Sequence, residues 1–124
     1  IDNNGNARIL GEEYNKTSEL RGSRLPQPVM FVPRRLFREI GGFDTKFKIA
    51  ADYEFVLRST ERCKVKFVPE IVTVMYAGGL SFNNPQAAFL ESMQIARKYG
   101  RGVAASFIDY LVKVIKWKVK SLLT

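Results

Sequence analysis

Histidine is absent from this 124-residue chain, and cysteine occurs once, at Cys63. Without histidine there is no Ser-His or Cys-His nucleophilic pair and no imidazole metal site. A zinc enzyme built from this chain alone is therefore excluded. A single thiol forms no internal disulfide, so nothing points to an oxidising compartment. Asp-x-Asp is missing, as are the GxGxxG turn and the Walker loop that cradle nucleotide phosphates. No apolar run reaches the roughly eighteen residues of a transmembrane helix. There is no internal repeat and no low-complexity tract. The first residue is Ile, followed by the turn-forming Asp2-Asn3-Asn4-Gly5-Asn6. The expectation is a piece cut from something longer.

What is present suits one domain. Apolar residues make up 46% of the chain and aromatic residues 12%, enough for a packed core and against disorder. Twenty Lys and Arg face twelve Asp and Glu, a net charge of +8. Such a balance favours anionic partners, whether a phosphate-bearing substrate, lipid headgroups or nucleic acid.

Along the chain, Ala7 to Tyr14 reads as a short strand and Lys16 to Arg24 as a loop. Pro26 and Pro28 hold the backbone extended ahead of a buried strand, Val29 to Val32. Pro33 opens a helix in which Leu36, Phe37 and Ile40 fall at helical spacing, and Gly41 or Gly42 closes it. Asp52 reads as the N-cap of a helix over Tyr53 to Arg62. Lys64 to Val68 alternates as a half-buried strand does, and the β-branched stretch Ile71 to Tyr76 predicts another. Ala77 to Ser81 is a glycine-bearing loop. Asn84-Pro85 starts a helix over Ala87 to Tyr99, and Val103 to Leu123 forms a second long one. The class expected is mixed α/β.

Three pieces in order carry a resemblance. They are Phe31-Val32-Pro33-Arg34-Arg35-Leu36-Phe37, then Gly41-Gly42-Phe43-Asp44, then Ala51-Asp52-Tyr53-Glu54-Phe55-Val56-Leu57-Arg58, with Gly78-Gly79-Leu80-Ser81 behind them. In this order and spacing, Leu25 to Ser81 resembles the second half of a family 2 inverting glycosyltransferase, most like bacterial enzymes that build surface polysaccharides. The resemblance implies a partial GT-A fold, an acceptor half with a short mixed sheet packed by helices. It also implies that the half binding the nucleotide sugar, with its acidic motif for Mg²⁺ or Mn²⁺, lies on other sequence, so this chain holds no metal ligands. Asp2-Asn3-Asn4-Gly5 would fall just downstream of that motif. Where many relatives carry His-Gln, this chain has Gln27-Pro28, and where several carry Glu before the base it has Ala51.

The implied chemistry needs a carboxylate to take a proton from the attacking acceptor hydroxyl as the nucleoside diphosphate leaves. By position that base is Asp52, where the positive end of a helix favours negative charge. An ordinary helix cap is the competing reading, and one carboxylate has oxygens for both. Asp44 would bind an acceptor hydroxyl or simply brace its turn. Gly41, Gly42 and Gly79 would allow close backbone approach. Phe43 and Tyr53 would stack on a sugar ring or fill the core. Arg58 would reach a phosphate or pair with Glu54 one turn earlier.

Residues 103–124 are set apart from the domain of residues 1–102 as a basic amphipathic helix. On a helical wheel Phe107, Tyr110, Leu111, Val114, Ile115 and Leu122 form an apolar face, with Lys113, Lys116 and Lys120 opposite and Lys118 intruding. Trp117 near the edge suits a membrane interface, and docking on protein is the competing reading. The expected function is sugar transfer from a nucleotide-sugar donor to a hydroxyl of a glycan or lipid-linked acceptor. The expected location is the cytoplasm, at the inner membrane face, with an anionic membrane surface as a partner. The alternative is a non-catalytic basic module binding membrane or nucleic acid. Nucleic acid is the weaker choice, because the cations are spread over several elements.

Overall fold

The computed structural model describes residues 5–76 and 80–123. Six α-helices follow one another: α1 (Lys16–Arg21), α2 (Arg34–Ile40), α3 (Ala51–Thr60), α4 (Leu80–Asn83), α5 (Pro85–Lys98) and α6 (Val103–Leu123). A 3-10 turn at Gln27–Val29 precedes α2. No strand or sheet forms among the described residues. The expected mixed α/β class, with its short sheet, is therefore corrected to an all-helical arrangement. Residues 7–14, 29–32, 64–68 and 71–76 have strand-like composition, but alternation alone makes no strand. A ladder needs a neighbouring segment in register, and long-range pairing supplies it. Val65, Phe67, Ile71 and Val74 remain exposed, as does Phe31.

Two further expectations are corrected locally. Lys16–Arg21 is a helix and not a loop, because the Asn15 side chain accepts the Ser18 amide at 3.0 Å and caps its first turn. Leu80–Asn83 is a helical turn that takes in Leu80 and Ser81 of the expected loop, and Ala77, Gly78 and Gly79 lie outside the described residues.

The core is built on α3. Its Tyr53 and Leu57 pack with Ala50, with Ile95 of α5 and with Tyr99, and Leu20 and Phe47 border the cluster. The next position round the helix, Phe55, faces a different neighbour. Its ring meets those of Phe37 and Phe43, with centroids 5.4 Å and 5.1 Å away. Burial on both sides explains why Phe55, Val56 and Leu57 are consecutive and all buried.

Helices α5 and α6 form a hairpin. Arg101 N–H donates to Ala96 C=O at 2.8 Å and Gly100 N–H to Arg97 C=O at 3.2 Å. This is a Schellman cap, and it requires the left-handed backbone that Gly100 adopts at φ 103°. The two helices are then latched by polar groups. Arg97 Nε donates to Ser106 Oγ at 2.7 Å, and Arg101 Nε to Asp109 Oδ2 at 2.8 Å. Glu19 ties α1 to the same body. Its buried carboxylate accepts the amides of Arg24 and Leu25, and its carbonyl accepts Tyr53 Oη–H at 2.6 Å.

Candidate functional site

The site proposed from sequence has two parts, the turn after α2 and the first turn of α3. Each is held by a different carboxylate, Glu54 for the turn and Glu91 for the backbone entering α3. Glu54, on α3, is fully buried. Its Oε2 accepts Arg58 Nη2 at 2.9 Å and Arg58 Nε at 3.2 Å. Its Oε1 accepts Lys98 Nζ at 3.1 Å and the Tyr99 hydroxyl. Burial alone pushes a carboxyl up. Here hydrogen bonds from Tyr99, Arg58 and Lys98 outweigh burial and hold Glu54 below its usual 4.5. Burial and the Glu54 charge push the Tyr99 phenol up, so it stays a donor.

Arg58 passes this anchorage to the turn. Its Nη1 donates to Ile40 C=O and, at 3.4 Å, to Gly41 C=O, while Nη2 donates to Gly42 C=O at 2.7 Å. These are the carbonyls left unpaired where α2 ends, and a guanidinium fork suits them. Gly41 has φ 79°, a conformation that would strain any residue with a Cβ. Asp44 Oδ1 accepts the Lys46 amide at 3.0 Å, the bracing expected of an Asx turn, and Oδ2 lies 3.8 Å from Lys98 Nζ. Thus Lys98 and Arg58, both on Glu54, hold the two ends of the Gly41–Asp44 turn.

The second part contains a correction. The N-cap position of α3 is Ala50, not Asp52. The carboxylate at this helix end comes from Glu91 on α5. It accepts the amides of Lys48 at 2.8 Å, Ile49 at 2.9 Å and Ala50 at 2.8 Å. Burial raises the Glu91 carboxyl, but these three amides win and hold it below 4.5. Asp52 stands on the first turn, exposed, with Oδ1 accepting the Tyr53 amide at 2.8 Å. Its second oxygen has no protein partner among the described residues. Asp52 lies six residues before Arg58, about 9 Å along the helix axis at 1.5 Å per residue.

The remaining candidates are placed as follows. Phe43 is 45% exposed, with one edge in the Phe37–Phe55 ring cluster. Gly42 is exposed, and a Cβ there would make ordinary contact with Phe37. Tyr53 is buried with its hydroxyl committed to Glu19, so no ring face is left for a sugar. Arg58 spends its guanidinium on Glu54 and three carbonyls, so the phosphate role is replaced by the structural one. Gly79 lies outside the described residues. Sequence reading missed Glu91, Lys98 and Tyr99. The Glu54–Arg58 spacing of four was visible, but nothing local signals partners more than forty residues away.

Among the described residues no group of three Cys, Asp or Glu side chains is arranged to hold a metal ion. The described residues offer no such group for Mg²⁺ or Mn²⁺, and no metal step is assigned to them. A shallow depression of about 340 Å³, lined by Glu13, Tyr14, Val65, Lys66 and Phe67, includes none of the candidates. The chain matches no family model, no curated protein and no solved structure.

Two predictions arise from these carboxylates. Glu91→Ala removes the acceptor of three amides and is expected to cost about 1–2 kcal/mol in urea unfolding. A loss below about 0.5 kcal/mol would mean that water replaces the carboxylate at little cost. The second concerns acid. Glu54 and Glu91 are held below 4.5 in the folded chain. Their contribution is complete above 4.5 and is lost as pH falls from there through their lowered folded values. Glu19 runs the other way, because burial raises it and protonation relieves that penalty. Tm is expected to fall as pH drops below 4.5, less steeply in Glu54→Gln. Parallel profiles for both proteins would contradict the assignment.

Proposed function

We propose that this chain supplies the acceptor side of an inverting sugar transferase, with Asp52 as the base. The observation that carries the reading is the division of labour at the start of α3. Glu91 holds the Lys48, Ile49 and Ala50 amides that lead into the helix, while Asp52 Oδ1 accepts the Tyr53 amide on its first turn. Asp52 is left exposed on the first turn with one oxygen unpartnered among the described residues. The Gly41–Asp44 turn is clamped at both ends through Glu54.

In this reading an acceptor hydroxyl lies against the turn and donates to the open oxygen of Asp52. As the oxygen attacks the anomeric carbon, its proton passes to Asp52 and the nucleoside diphosphate departs from the opposite face. Asp44 and the exposed edge of Phe43 orient the acceptor. The donor and its divalent ion are bound by residues outside this chain. Accordingly, the isolated 124 residues give no turnover.

The test uses the protein that carries these residues, a panel of nucleotide sugars with Mn²⁺, and lipid-linked acceptors. Transfer that collapses in Asp52→Asn while donor binding persists supports the reading. Transfer that survives, or transfer by the isolated chain, overturns it.

A further inference from the structure

Helix α6 packs with a mixed side inward, on which Val114 and Trp117 are half-buried beside polar groups. Ser106 is buried, Asp109, Tyr110 and Lys113 are half-buried, and these face α5 and α1 along with Leu20 and Met93. Burial pushes the Lys113 ammonium down, with Asp109 opposing the shift. The opposite side is apolar and open. Phe107, Ile108, Leu111, Val112, Ile115 and Val119 are each at least 40% exposed, and at 100° per residue they span one continuous arc.

Charge selects what covers this arc. After Asp109 the chain has no acidic residue, and α6 carries Lys116, Lys118 and Lys120, all exposed. On the wheel Lys118 falls inside the apolar arc, with Lys116 and Lys120 beyond its other edge. A second copy packed on this stripe would bury Lys118 in an apolar seam without a carboxylate to meet it. A lipid surface removes the conflict, since a lysine stem lies along apolar chains while its head reaches the phosphates. No helix among the described residues is long and apolar enough to cross a membrane. The geometry is that of a helix lying in the interface plane.

We infer that the outward face of α6 docks on anionic phospholipid, with the apolar arc in the acyl boundary and Lys116 and Lys118 at headgroup level. Trp117 is not the anchor, because it sits half-buried on the inward side. The inference does not rest on sugar transfer. It stands on the packing of α6 alone.

The experiment is co-sedimentation of the 124-residue chain with vesicles of equal parts phosphatidylcholine and phosphatidylglycerol, and with phosphatidylcholine alone. Strong binding is expected only with the anionic lipid, weakening as salt is raised. Ile115→Glu points outward, so helicity by circular dichroism is retained while partitioning falls at least about tenfold. Lys116→Gln with Lys118→Gln lowers partitioning about fivefold per lysine. Equal binding to both vesicles, no sedimentation, or indifference to these variants would overturn the inference. So would a dimer by light scattering that Ile115→Glu dissolves while vesicles stay unbound, since a second copy would then cover the stripe.

Discussion

Asp52→Asn is expected to lower kcat for sugar transfer by about 10²- to 10⁴-fold, with donor affinity unchanged, the range for losing a positioned general base. The variant keeps the shape of the side chain and an oxygen that accepts the Tyr53 amide. It removes the charge and the capacity to take a proton. Because Glu91 supports the backbone entering α3, folding should scarcely respond, and stability should change by less than about 0.5 kcal/mol. The two readouts are therefore separable. Loss of transfer at unchanged stability identifies a base. Loss of stability at unchanged transfer identifies a capping residue. Glu91→Ala is the matching control, with stability lost directly and transfer affected only through the geometry of α3.

The second large effect is on folding. Glu54→Ala is expected to destabilise the chain by about 3 kcal/mol in urea unfolding. The deletion strips Arg58, Lys98 and Tyr99 of a shared acceptor at once. Lys98, half exposed, regains water readily, whereas Arg58 at 23% exposure and the buried Tyr99 hydroxyl do not. Against a typical total of about 5–15 kcal/mol for a domain, that loss is large. Glu54→Gln retains the volume but turns amide donors toward cations, so it recovers little. A double-mutant cycle with Arg58→Ala should return a coupling of about 1–3 kcal/mol, because the two residues share one network. A coupling near zero would show that Arg58 holds the turn without Glu54. The Gly41–Asp44 turn would loosen in Glu54→Ala, and transfer is expected to fall together with stability.

The α2 boundary, the long helices α5 and α6 and the Gly41 stop were legible because each depends on neighbours in sequence. Pro33 and Pro85 pre-set helical φ, glycine allows the left-handed exit, and a period of 3.6 needs no distant partner. The Glu54–Arg58 pair was legible for the same reason, lying one turn apart on α3. Lys16–Arg21 was not, since its polar sequence has no apolar period and is held by Asn15 and by the burial of Glu19. The strands were expected from alternation, yet alternation only says which side chains would share a face. Whether a ladder forms depends on a second segment in register, and none forms among the described residues.

The sequence by itself determined the composition of the core, the basic surface, the helices punctuated by proline and glycine, and an acidic residue on the first turn of α3. Only the tertiary structure decided that Glu91 holds the backbone entering that helix. It also decided that Glu54 gathers Lys98 and Tyr99, and that α6 leaves an apolar arc facing outward. The physical reason is common to all three. A carboxylate or an amphipathic face can be satisfied by several partners, and the sequence supplies the demand but not the address. Packing α5 against α3 and α6 against α5 brings one particular partner within hydrogen-bonding distance, and the remaining surface is left for something else to cover.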